Sequence, residues 1–325
     1  MAGKLDLDLD LDLDLDLSTS TRGGVGSGAG PRYNTEDFPR LIPTPFPNTL
    51  PVPTLLYSAN WDPELRAWAY VEEFIVSYVA ANGVTPVVGI QTAIEAQTAF
   101  PVPTLNLSGS SVAKPLTSTD MAQNVLGDLD ASIDRPDRAL EILDQATGQG
   151  ALHYWTGMLH IDQSKDRSSF LLMLVARKIG EYVAMGLKNH YLMRRPAQVY
   201  PLIMPLIDGP DTPSFPSSHS LQAHLITGVL KLALTPSVPP PSVFPPPGPP
   251  PPPCATTADA LDVLADRVAY NREVAGVHYP MDTLAGYFSA IQCLNHLIPL
   301  LQPSAPANIF KTLVNLAKAE LVDMH

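Results

Sequence analysis

Twelve of the 18 residues from 236 to 253 are proline. Such a segment can be neither helix nor the middle of a sheet. Proline lacks the N–H that both need, and its ring clashes with the preceding helical turn. The tract is expected to run as polyproline II and to loop out between two core helices. Docking to an aromatic-grooved partner is the sharper alternative. Any core must therefore be assembled from pieces on either side of it.

Those pieces are helical by period. Leu65, Trp68, Ala69, Val71, Ile75 and Val79 recur near every 3.6 residues, behind an N-cap candidate at Asp62 and Pro63 in the first turn. Asn82–Gly83 closes that run. Further helices are expected at 135–146, 150–160, 167–191, 217–234, 257–275, 281–299 and 305–322. Residues 84–118 mix Val, Thr, Pro and Gly and read as loop. The expected fold class is all-α, a helical bundle with long proline-rich loops.

One segment has the other period. Residues 5–17 alternate Leu and Asp strictly, which puts six Asp on one face. Their mutual repulsion makes a solvated tail the expectation and an edge strand the runner-up. A Gly- and Ser-rich linker follows at 18–33 and a proline-rich extended arm at 39–56. The expected division is a tail and arm over 1–56 and a helical domain over 57–325, with an insert at 236–253.

The net charge of −12 argues against a nucleic-acid partner. No apolar run reaches the ~18 residues of a membrane span, and the N-terminus lacks the pattern of a signal peptide. A soluble, cytoplasmic protein without an integral membrane segment is expected, and a homo-oligomer is left open. Cys254 and Cys293 are too few for a disulfide framework and are expected to be unpaired.

Against this acidic background, cations gather in a pattern. Lys188 and Arg195–Pro196 form K-x6-R-P at the end of the predicted helix 167–191. Proline biases the residue before it away from helix, so Arg195 is expected in extended geometry with its planar fork available to two oxygens. Arg194, off that spacing, is expected at the surface. Pro216–Ser217–Ser218–His219 reads as a helix start with Pro216 in the first position. The unsatisfied N–H groups there, with the Ser217 hydroxyl, suit an anion. Arg272, His278 and Asp282 form R-x5-H-x3-D. A carboxylate four residues after a histidine can accept its ring N–H and raise the basicity of the other nitrogen. Each cluster alone has a bland reading as a helix cap or dipole partner; together they describe a pocket for a tetrahedral oxyanion. The other histidines lack matching partners and are expected to be structural.

These residues resemble the signature of the type-2 phosphatidic acid phosphatase (PAP2) and vanadium haloperoxidase superfamily: K-x6-R-P, P-S-G-H, S-R-x5-H-x3-D. Two positions depart from it, with Ser218 in place of Gly and Asn271 in place of Ser. Asn271 is expected to replace the serine by bonding nearby backbone. The resemblance implies the PAP2/vanadium haloperoxidase bundle and two candidate chemistries. In a vanadium haloperoxidase, Lys188, Arg195, Ser217, Ser218 and Arg272 would hold vanadate. His278 would be its metal ligand, oriented by Asp282, and His219 would move protons. The substrates would be hydrogen peroxide, a halide and an organic acceptor. In a phosphatase, with phosphate in place of vanadate, His278 would be the nucleophile and His219 the general acid. Thr212 leaves halide preference open, with bromide or iodide expected because they oxidise more easily than chloride. The haloperoxidase is the favoured reading, a phosphomonoesterase the alternative, and a non-catalytic oxyanion-binding scaffold the third.

Overall fold

The computed structural model describes residues 62–104, 112–146, 151–234, 254 and 256–322. The expected tail and arm at 1–56 and the proline tract at 236–253 lie outside the described residues. Within them every regular element is a helix, and strand-like pairing is limited to one bridge between Val102 and Pro115.

The helices are α1 (Pro63–Asn82), α2 (Pro86–Ala96), α3 (Ser118–Ala131), α4 (Arg135–Gln145), α5 (Leu152–Met158), α6 (Arg167–Tyr191), α7 (Pro196–Val199), α8 (Ser218–Leu234), α9 (Thr257–Val274), α10 (Pro280–Leu300) and α11 (Ile309–Val322). The first begins as its sequence dictates: the Asp62 carboxylate accepts the Glu64 N–H at 2.8 Å, and Gly83 ends it at φ +72°.

α8 sits at the centre and packs against α6, α9, α10 and α11. Its position follows from its composition, because a helix apolar nearly all round has no face for water. Leu221, Leu225, Ile226, Val229 and Leu230 are all buried. α6 buries Leu171, Leu174, Ile179, Val183 and Leu187 in the same core, and α10 contributes Ala285, Ala290 and Leu294. α8 and α10 come close where Gly286 lies. A methyl group there would meet the Ser217 carbonyl oxygen at 2.5 Å and the Leu221 nitrogen at 3.0 Å. Backbone contact at that point seats the start of α8 on the first turns of α10.

Three expectations are corrected. The predicted loop 84–118 contains α2, which Thr85 and Pro86 start and Ile90 and Ile94 bury. α3 was not expected, although Thr117 and Asp120 form a capping box, each satisfying the other's N–H. Pro216 is not the first helical residue. It follows a cis Phe215–Pro216 bond, and α8 begins two residues later at Ser218.

Both cysteines are unpaired, Cys254 exposed and Cys293 buried. Among the described residues no single helix is long and apolar enough to cross a membrane, although the bent pair α1 and α2 meets that length and composition together.

Candidate functional site

The three sequence clusters arrive on three sides of one buried point. Lys188 lies in the last turn of α6, and the backbone then turns through Leu192 at φ +49°. Arg195 precedes Pro196 at φ −72° and ψ 159°, the extended geometry that proline imposes. Ser217, Ser218 and His219 open α8. Arg272 projects from the last turn of α9, and Gly276 (φ +78°) reverses the chain so that His278 and Asp282 face back toward it. All eight of these motif side chains are between 0 and 6% exposed.

His278 is the hub. Its Nδ1 lies 3.1 Å from Asp282 Oδ2, and its Nε2 lies 3.2 Å from Arg195 Nη1. A guanidinium can only donate, so Nε2 must accept. Nδ1 therefore carries the proton and donates it to Asp282. This is the tautomer that leaves a lone pair on the nitrogen facing the cations. Burial holds the His278 pKa well below the usual imidazole value, and Arg195, Lys188, His219 and Arg272 push it the same way. The four groups named by their motifs are thus the ones whose fields act on His278.

Asp282 is held on several sides. Its Oδ2 accepts from the Ser214 hydroxyl and, at 3.0 Å, from the Tyr279 N–H, while its backbone carbonyl accepts the Ser217 N–H at 3.0 Å. Burial pushes its carboxyl up to about 6, against the downward pull of Ser214, Tyr279 N–H, Lys188 and Arg195. The expected cap role and the expected histidine-orienting role are both filled by one side chain.

Neutral oxygens position the cations. Lys188 Nζ donates to the Pro213 carbonyl at 2.6 Å. Arg195 donates through Nε to the Thr212 carbonyl and through Nη2 to the Thr212 hydroxyl, both at 2.9 Å, and through Nη1 to the Val277 carbonyl at 3.0 Å. Arg272 donates to Gln145 Oε1 at 2.9 Å and to the Ile142 carbonyl at 3.3 Å. The Ser217 hydroxyl accepts the Ser220 N–H at 3.4 Å, so it caps α8 at the mouth of the site.

Several supporting residues escaped the sequence reading. Gln145 and Ile142 come from α4, more than 120 positions from Arg272, and no local spacing announces them. Ser214 and Thr212 precede the second motif, and neither was expected to bond Asp282 or Arg195. Asn271 is a correction: its amide bonds the side chains of Arg138, Glu141 and Gln145 and not the backbone. Arg194 is exposed, as expected. Four other histidines do have partners, all elsewhere: His153 with Asp144, His190 with Glu95, His224 with Asp266 and His296 with Ser77.

Residues 169–304, from the start of α6 to just past α10, match the family model of the PAP2 superfamily. This stretch is similar to that superfamily, which includes vanadium haloperoxidases and phosphatidic acid phosphatases. It contains every motif residue named above. No curated protein matches the chain.

Proposed function

We propose that this protein is a vanadate-dependent haloperoxidase that oxidises bromide or iodide with hydrogen peroxide to hypohalous acid, for halogenation of an organic acceptor. The observation that carries this reading is the burial of the whole site. With every motif side chain at most 6% exposed, the pocket suits reactants as small as peroxide and a halide ion.

The residues fit vanadate. Two guanidiniums, an ammonium and a helix start supply donors for oxygens, and His278 Nε2 offers a lone pair directed at the same point. Lys188, Arg195, Arg272, Ser217 and the Ser218 N–H would hold its negative oxygens, and His278 would be the ligand to the metal. Vanadate bound there supplies a Lewis acid that polarises peroxide. The chain's own part is then to neutralise charge, to keep His278 in its Nδ1–H tautomer through Asp282, and to move one proton through His219. The overall balance is peroxide, halide and a proton giving hypohalous acid and water.

A phosphomonoesterase remains the second reading, favoured by one observation: His278 is held neutral, and its unprotonated Nε2 faces the cations, where it accepts from Arg195 Nη1 at 3.2 Å. Nε2 would bond phosphorus as the ester P–O bond breaks. His219 would protonate the leaving oxygen, and water would then release phosphate.

One assay separates the readings. The purified protein is supplied with orthovanadate, peroxide and bromide and tested for bromination of a phenol dye, beside hydrolysis of a nitrophenyl phosphate. Vanadate- and bromide-dependent bromination that His278→Ala abolishes is the expected result. Hydrolysis inhibited by vanadate, with no bromination, overturns it.

A further inference from the structure

Four of the six residues between Lys188 and Arg195 line one cavity: Tyr191, Leu192, Met193 and Arg194. Pro103, Leu116, Met121 of α3 and Val199 of α7 add apolar walls. The volume is about 320 Å³, the size of a small-molecule pocket. The chain that lines this cavity enters the oxyanion site one residue later, at Arg195. Two contacts tie the cavity to the start of α8. The Tyr191 ring meets Phe215 edge-on with centroids 4.9 Å apart, and the Met193 carbonyl accepts the Ser214 N–H at 2.8 Å. Ser214 in turn donates to Asp282.

Two polar groups stand against the apolar walls. Arg194 is exposed and has no ion-pair or hydrogen-bond partner among the described residues. Tyr191 is 3% exposed, and its hydroxyl has no hydrogen-bond partner among the described residues either. Burial first, then Glu95, raise its pKa, so the phenol keeps its proton and remains a donor. Both groups call for a guest that carries an acceptor, and the cation calls for negative charge. Met121 and Met193 offer polarizable sulfur, which favours an aromatic ring.

Size gives the cavity its purpose. The oxyanion site suits peroxide and a halide, and an organic ring needs a separate place nearby. A second cavity, of about 210 Å³ among Phe100, Asn124, Pro280 and Leu284, has no charged side chain in its lining. We propose that the cavity beside Arg194 binds the organic acceptor, an electron-rich aromatic ring in the apolar walls with a carboxylate on the Arg194 guanidinium. The proposal rests on the haloperoxidase reading for the reaction, though not for binding. In that reaction a ring carbon bonds bromine as the Br–O bond of hypobromous acid breaks. The ring proton leaves and joins the released hydroxide as water.

Hydroxynaphthoate is the probe, with its methyl ester as the uncharged control, each added to the full chain without vanadate. Calorimetry is expected to show the acid binding about fivefold tighter than the ester, the upper end for a solvent-exposed ion pair. Arg194→Gln is expected to abolish that preference. Val199→Trp fills the cavity and is expected to weaken both ligands. Both positions are exposed, so the fold is expected to survive each change. In the vanadate-loaded enzyme Arg194→Gln is expected to raise KM for the acid about fivefold, with KM for the ester changed far less. Equal binding of acid and ester, or binding that neither variant alters, overturns the site. Binding that both variants alter, in a protein that oxidises no halide, keeps the site and removes the haloperoxidase reading. Bromination of acid and ester alike, with no binding to the cavity, does the reverse.

Discussion

Arg195 Nη1 lies 3.2 Å from His278 Nε2, and that one contact determines where the imidazole keeps its proton. Because the guanidinium has no lone pair to offer, Nε2 accepts and Nδ1–H points to Asp282. Nitrogen-detected NMR of the free protein is expected to show His278 as the Nδ1–H tautomer down to pH values well below 6.5. Phosphate is expected to raise its pKa, since an anion offsets the cations that depress it. A depressed histidine binds its proton more readily when unfolded. The sign is therefore a loss of stability as pH falls below about 6.5.

Ser214→Ala removes the hydroxyl that bonds Asp282 Oδ2. The Tyr279 N–H still holds the same oxygen, so the fold is expected to survive with a loss of about 1 kcal/mol or less. Activity is expected to fall about tenfold or more, because the support behind the proposed ligand histidine has loosened. Urea unfolding and turnover, measured side by side, check the split.

Asp128 of α3 carries the opposite pH signature. It is fully buried, and its carboxyl is pushed up to about 9, first by burial and then by Asp282 and Glu273, with Arg135 opposing. Glu273 moves the same way, to about 7, chiefly through burial. Raised acids keep protons in the folded state that the unfolded chain releases, so stability is expected to decline as pH rises from about 4 to about 9. Asp128→Asn imitates the protonated form. It is expected to flatten that decline and to gain at least ~1 kcal/mol at pH 8, less than one pKa unit's worth. Denaturant midpoints at pH 5 and pH 8 provide the measurement.

Gly286→Ala places a methyl 2.5 Å from the Ser217 carbonyl oxygen and 2.8 Å from Ser220 Cβ. Neither can yield without moving the start of α8. A loss of about 1–3 kcal/mol is expected from the overpacking. Weaker binding of phosphate or vanadate by calorimetry is expected with it, since the displaced residues are the proposed anion-facing turn.

The arrangement of the candidate site was legible because its residues lie in short spacings. R-x5-H-x3-D needs only one turn and one helix start to bring His278 against Asp282, and Pro196 alone dictates the extended form of Arg195. The ends of α6, α9 and α10 were readable from caps and apolar period. What escaped reading depends on distant encounters. Gln145 meets Arg272 across more than 120 residues. Asn124 of the unexpected helix α3 accepts the Met281 N–H at 3.0 Å and so holds the start of α10. α2 was obscured by β-branched residues, which lower helix propensity where tertiary burial of Ile90 and Ile94 outweighs it.

Asp282 belongs at once to a helix cap, a histidine clamp and, through its carbonyl, the first turn of α8. Recognition of the proposed guest and architectural integrity are consequently wired to the same atoms. A ligand that tightens this junction is expected to raise the melting temperature of the whole bundle. Heat resistance can then serve as a readout of which oxyanion the pocket prefers.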